Sequence, residues 1–171
     1  MNTGQLQDTA ILLAGHGVPA SDYPAMRVGL LMMLEFSGKR TGLFRAWRDR
    51  LAEEVRLWPR TADNDPYKAA VDDLAAKLSA RLGCRVIAAY NEFCTPTVAE
   101  GIEQLIAGGA RRVIVVSTML VRGNSHTEVE IHKAVVQASE SHPAIDIRYA
   151  WPFEQERLVS MLVDQINAHL A

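Results

Sequence analysis

The sequence predicts an α/β domain: a three-layer sandwich with helices on both faces of a central four-stranded parallel sheet, and an enlarged first βα connection. Three observations lead there. Four short runs are apolar throughout rather than alternating, as strands buried on both faces require. Helical patterns with recognisable starts and stops lie between and after them, so the strands connect by crossovers and run parallel. The 171 residues, 49% hydrophobic and 22% charged, have the balance of one domain with one core. The whole chain, 1–171, is read as that domain, with a helical insertion over 25–60 inside it.

The predicted strands cover 9–14, 85–90, 112–118 and 145–150. The clearest helix starts at Asp65, an N-cap, followed by Pro66 at the first helical position. Ala70, Leu74, Leu78 and Leu82 recur every four residues along it, and Gly83 can close it. Thr95 and Pro96 open a second helix that carries Ile102, Leu105 and Ile106 and ends at Gly108 and Gly109. Ser125 and Glu128 have capping-box spacing and start a third, and Leu158, Met161, Leu162 and Ile166 mark a C-terminal one. Over 25–60, Phe44, Trp47, Leu51, Val55 and Trp58 fall at three- and four-residue steps until Pro59 stops the pattern. Core packing is the favoured reading of that stripe, with a lid or a subunit interface as alternatives.

Eighteen Lys and Arg against 20 Asp and Glu leave a formal charge of −2, so the balance argues for neither a nucleic-acid partner nor an anionic membrane. The longest apolar stretch, 28–34, is far short of the roughly 18 residues a membrane span needs, and 1–8 lacks the basic start of a leader. The expected location is the cytoplasm. Cys84 and Cys94 sit ten apart with no CxxC and are expected to be free thiols, Cys94 as a small buried residue at a strand-to-helix corner. His142 and His169 read as solvent residues.

In an open parallel sheet, ligands bind just beyond the carboxyl ends of the strands. The first strand runs into Gly15-His16-Gly17, the second into Asn91-Glu92, and the third into Arg122-Gly123-Asn124-Ser125-His126. Two imidazoles and a carboxylate, distant in sequence, are thereby delivered to one edge. That donor set suits iron, cobalt, nickel or zinc, and three protein ligands leave positions open for exchange. The glycines beside His16 leave its ring approachable. His126, in the first turn of its helix, is favoured in its neutral form by the positive end of the dipole. His132, six residues further on, points elsewhere. Gly15 to Ala20 also fits a loose GxGxxA pattern, but Pro19, Ser21, Asp22 and Pro24 prevent a helix from starting inside the glycine turn. GxxxxGK[ST] and GxSxG are both absent.

Leu12-Leu13-Ala14-Gly15-His16-Gly17 is similar to the opening strand and histidine turn of the class II chelatases of tetrapyrrole synthesis, specifically the CbiX and SirB group of sirohydrochlorin cobaltochelatases and ferrochelatases. Asn91-Glu92-Phe93-Cys94-Thr95-Pro96-Thr97 resembles their LEF-x-x-P-[ST] segment. Met119-Leu120, Gly123, His126 and Glu130-Ile131 resemble their glycine-histidine turn and acidic-Ile helix start. The likeness covers the first strand through His16 and then roughly 65 to the C-terminus. Val18 stands where the group commonly has Ser, Glu130 where it has Asp, and 25–60 has no counterpart in its shortest members.

The resemblance implies a chelatase-like sheet with flavodoxin-like winding, and insertion of a divalent metal into sirohydrochlorin or a related tetrapyrrole. His16 and His126 would deliver metal and accept protons, with Glu92 as acidic partner, so these three are the expected catalytic residues and metal ligands. Arg122, beside the His126 loop, is expected to meet a substrate carboxylate, with Gly17 and Ser125 lining the substrate side; Arg27 and Lys133 are weaker candidates. No permanent cofactor is implied, since Co2+, Fe2+ or Ni2+ is itself a substrate, and short members of the group work as homodimers. The alternative is a carrier that holds a metal or a finished metallotetrapyrrole without inserting it.

Overall fold

The structure, a computed structural model, describes residues 6, 8–36 and 42–170. Most of 1–8, read above for a leader, and 37–41 of the first connection lie outside the described residues. The order of elements is β1 (Thr9–Gly15), α1 (Ala25–Phe36), α2 (Gly42–Arg56), α3 (Pro66–Leu82), β2 (Arg85–Tyr90), α4 (Val98–Ala107), β3 (Arg112–Ser117), a π-helical turn (His126–Ile131) leading into α5 (His132–Ser141), β4 (Asp146–Tyr149) and α6 (Gln155–Asn167). The four strands form one parallel sheet in the order β2-β1-β3-β4. β1, the most apolar strand, is central and buried along its whole length. Among the described residues no helix is long and apolar enough to cross a membrane.

One face of the sheet packs Leu12, Val113 and Val115 against Ile102 and Leu105 of α4 and Val135 of α5. Each such aliphatic side chain contributes about 1.5–3 kcal/mol when fully buried. Gly101 lets α4 sit this close, because a Cβ there would lie 2.5 Å from the Leu12 side chain. The other face packs Leu13, Tyr90 and Cys94 against Val71 and Ala75 of α3. α3 packs mainly on β2 and less on β1, and β3 alternates: Val113, Val115 and Ser117 are buried, whereas Ile114 and Val116 are only half-buried. The sequence reading of β3 as buried on both faces is corrected accordingly, and β4 is a short edge strand.

α3 begins and ends as predicted. The Asp65 carboxylate accepts the Lys68 backbone N–H at 2.8 Å, and Gly83 adopts φ +67° and donates to the Ser79 carbonyl. Its buried row is rotated by one position from the expected one: Val71 and Ala75 face the core, while Ala70 and Leu74 are exposed. α4 starts two residues later than expected, because Thr97 rather than Thr95 supplies the cap, in a complete capping box with Glu100. The aromatic stripe of α2 divides. Val55 is buried in a small core with Tyr23 and Leu31, and Leu51 and Trp58 pack against it. Phe44 and Trp47 are exposed, so core packing does not account for them.

Candidate metal centre at the carboxyl edge of the sheet

β1 and β2 continue to hydrogen-bond past their last paired residues. The Asn91 N–H donates to the Gly15 carbonyl at 3.0 Å and the Glu92 N–H to the His16 carbonyl at 2.8 Å. These backbone bonds bring His16 and Glu92 side by side. Gly17 makes this possible: its φ is +89°, and a Cβ there would lie 1.9 Å from the Glu92 carbonyl oxygen. The His16 N–H donates to the Tyr67 hydroxyl of α3 at 3.1 Å, which fixes the turn from below.

His126 arrives from the third strand end. Asn124, not Ser125, opens its helix: the Asn124 Oδ1 accepts the His126 N–H at 2.8 Å and its carbonyl accepts the Thr127 hydroxyl at 3.1 Å, whereas the Ser125 side chain makes no capping bond. Thr127 and Ile131 are fully buried and anchor the wide turn. The His16 and His126 rings meet edge to face with centroids 4.7 Å apart. Ligand atoms of His16, Glu92 and His126 all lie within 4.8 Å of one another. Tetrahedral sites with bonds of about 2.1 Å set ligand atoms about 3.4 Å apart. The His16 Nε2 and the Glu92 Oε2 are 3.8 Å apart, so an ion would draw them inward, and three protein ligands would leave it positions open.

Hydrogen bonds assign the protons. The His16 Nδ1 lies 2.6 Å from the Gly17 carbonyl, which can only accept, so Nδ1 carries the hydrogen and the Nε2 lone pair is free. Nε2 faces the Glu92 carboxylate at 3.8 Å. The His126 Nδ1 is 2.8 Å from the Asn91 amide nitrogen and 3.2 Å from the Glu130 carboxylate, and Asn91 also donates to Glu130 at 2.6 Å. Nδ1 can therefore accept from Asn91 with the proton on Nε2, or donate to Glu130 with Nε2 free for an ion. Burial would raise the Glu130 carboxyl, but the Asn91 and His126 bonds outweigh it and hold the group below its ordinary value.

Beside the three ligands lies a cavity of about 420 Å3, walled by Met32 and Glu35 of α1, Arg56 of α2, Phe93, Glu92 and Glu130. Glu35, Glu92 and Glu130 make this wall acidic. Arg56, the cation on it, is already paired with Glu53 at 2.6 Å and Glu100 at 2.7 Å. Among the described residues, the expected cationic lining is therefore not on this side. Arg27 is paired with Glu54, and Lys133 is exposed on α5. Arg122 is 72% exposed with Glu128 at 3.8 Å.

The three predicted ligands converge; the three residues expected to line the substrate side do not join them. Ser125 is exposed, and Gly17 is buried against the Glu92 backbone. His132 points away, toward Tyr149, as expected. His142 is not a bare solvent residue, since its Nε2 meets Glu103 at 2.8 Å, whereas His169 is exposed. Both cysteines are free, and burial pushes the Cys94 thiol up. Sequence reasoning assigned no role to Asn91, Glu130 or Tyr67. The four-residue step from His126 to Glu130 was the available signal for one of them; nothing in the sequence marks Tyr67.

The profile of the CbiX family matches residues 62–168, a segment that holds Glu92 and His126 and leaves out His16, α1 and α2. A sirohydrochlorin ferrochelatase of Priestia megaterium is 32% identical over 79 residues, 46% of this chain and 29% of that protein. A sirohydrochlorin cobaltochelatase of the same organism is 33% identical over 63 residues, 37% of this chain and 20% of that protein. The matched segments thus span less than a third of these curated relatives. Among solved structures, the sirohydrochlorin chelatase SirB from Bacillus subtilis subspecies spizizenii in complex with cobalt aligns with 20% identity and a TM-score of 0.49, over 84% of this chain and 43% of that one. A CbiX protein from Marinobacter aquaeolei VT8 aligns with 16% identity and a TM-score of 0.47, over 95% and 94% of the two chains.

Proposed function

The chain belongs to the CbiX family, and from that premise we propose that it is a chelatase, inserting cobalt or iron, with nickel as a third ion its ligands accept, into sirohydrochlorin or a related tetrapyrrole. The observation that carries the reading is the convergence of the His16, Glu92 and His126 ligand atoms within 4.8 Å at the carboxyl edge of the sheet.

Insertion requires that the ion lose water, that two pyrrole protons leave, and that the metal then be released into the ring. The His16 Nε2, the Glu92 carboxylate and the His126 Nε2 take the ion, and three protein ligands alone give it up again readily. Once the ion has passed to the ring, the freed His126 Nε2 accepts a pyrrole proton while its Nδ1 hydrogen is held by Glu130, and Glu92 accepts the other. Arg122, exposed and only loosely engaged with Glu128, is free to meet a substrate carboxylate. Arg122→Ala is expected to raise KM by an amount equivalent to roughly 1–3 kcal/mol and to leave metal affinity unchanged; an unchanged KM assigns the contact to another cation.

We propose further that the protein acts in the cytoplasm, without a resident cofactor, as a homodimer. Pairing is supported by α6, which buries none of its residues and leaves Val159, Met161, Leu162, Val163 and Ile166 45–58% exposed. Light scattering at micromolar concentration tests it. Anaerobic incubation with sirohydrochlorin and each metal in turn, followed by absorbance, tests the activity. Many rings converted per chain support the chelatase, and at most one per chain supports the carrier.

A further inference from the structure

The connection over 25–60 ends on a buried charge that the proposed reaction does not use. Arg60 follows the turn after α2, and its side chain is 9% exposed. Its terminal nitrogens are fully engaged. Nη1 donates to the Val18 carbonyl and to the Asp65 carboxylate, both at 2.7 Å. Nη2 donates to the Val55 carbonyl at 2.9 Å and to the Phe93 carbonyl at 2.5 Å. Asp65, wholly buried, also caps α3, so the anion is fixed from its other side.

The two carbonyls that matter are those of Val18, two residues past His16, and Phe93, next to Glu92. Phe93 has φ +57°, a conformation that side-chain-bearing residues rarely adopt and that its surroundings must hold in place. A guanidinium is planar and presents its donors in fixed directions, so it can tie carbonyls on different segments at a set separation; an ammonium cannot. Here the other two bonds, to the end of α2 and the start of α3, anchor it to the scaffold.

We propose that Arg60 is a positioning residue for the metal centre. By bonding the Val18 and Phe93 carbonyls from one plane, it sets the spacing between His16 and Glu92 from a distance, without touching metal or ring. The role of the enlarged connection, on this account, is to deliver that clamp as well as to wall the cavity. The proposal rests on the reading of His16, Glu92 and His126 as metal ligands.

Cobalt(II) titration of the whole protein, followed by its visible d–d band, tests the clamp independently of turnover. Arg60→Met alone strands a buried carboxylate, so the informative variant is Arg60→Met with Asp65→Asn, which removes both charges and keeps an acceptor for the α3 cap. Leu105→Ala, at the far end of α4, serves as a control that lowers the melting temperature without touching the site. The double variant should fold, bind cobalt about tenfold or more weakly and show an altered band, as loss of outer support does. Arg60→Lys should fall between it and the unaltered protein, and Leu105→Ala should bind within about twofold of normal. A folded double variant with unchanged affinity and band overturns the proposal, as does an equal loss in Leu105→Ala. Failure of the unaltered protein to bind cobalt refutes the metal site itself, a distinct result.

Discussion

Gly17→Ala puts the construction of the site under direct strain. The added Cβ would stand 1.9 Å from the Glu92 carbonyl oxygen and 3.0 Å from its carbon, both of them backbone atoms that no rotamer change can clear. The loops must separate by about 1 Å or more to restore ordinary contact. Three costs follow. A residue with a side chain at φ +89° costs about 1–2 kcal/mol. The bond from the Glu92 N–H to the His16 carbonyl is stretched or lost, for about 0.5–1.5 kcal/mol. Residual crowding in a buried corner brings the total to about 2–4 kcal/mol. For a chain of this length that is a fall in Tm of roughly 5–15 °C. The same displacement moves Glu92 away from the His16 Nε2, so cobalt affinity and insertion rate should drop together, the rate by about 100-fold for a misplacement near 1 Å. Thermal unfolding by circular dichroism, cobalt titration and the insertion assay measure the three effects. A variant that melts within about 1 °C of normal and binds cobalt normally would show that the close approach at Gly17 does not hold the site together.

His16→Ala and His126→Ala should each abolish most insertion activity with little loss of stability, and combining them should cost little more than either alone, because ligands of one ion act as a unit; additive losses in the insertion assay would place them in separate sites. Glu130→Gln removes the carboxylate that draws the His126 Nδ1 hydrogen, so cobalt affinity by titration should weaken roughly 10–100-fold, and an unchanged affinity would show that Asn91 alone orients the ring. Along α2, Val55→Ala should lower stability by about 1–3 kcal/mol in urea unfolding, whereas Trp47→Ala, at a residue 58% exposed, should lower it by less than about 1 kcal/mol; the reverse order would restore the core reading of the whole stripe.

The fold was legible wherever the reason for a residue is carried by the residue itself. Thr-Ala-Ile-Leu-Leu-Ala reads as a buried strand because a strand covered on both faces has no place for a polar side chain, and β1 is the one strand fully covered. β3 carries a similar string yet alternates in burial, because coverage depends on where α3 happens to lie, and no local pattern records that. Caps behaved in the same way. Asp65-Pro66-Gly83 was read correctly because aspartate, proline and glycine are selected by the helix ends themselves. Thr95 and Thr97 offer the same hydroxyl, and the reciprocal bond with Glu100, visible in the sequence as T-x-x-E, decides for Thr97. The spacing from Ser125 to Glu128 predicts a capping box, but Glu128 turns back to the Gly123 N–H instead.

At the site, the same division separates ligands from what holds them. The proposed ligands His16, Glu92 and His126 are legible because a parallel sheet delivers its strand ends to one edge, where imidazole and carboxylate together suit a metal. Glu130 was half legible, since its step from His126 is visible but its use depends on the ring's orientation. Arg60, Tyr67 and Gly17 work through the backbone: Arg60 binds carbonyls of residues 18, 55 and 93, Tyr67 accepts the His16 N–H, and Gly17 makes room for the Glu92 carbonyl. Every residue has a carbonyl, so a partner of this kind leaves no trace in residue type. Side-chain types can therefore suggest a metal site from sequence, while the main-chain contacts that bring the proposed ligands together are visible only in the folded structure.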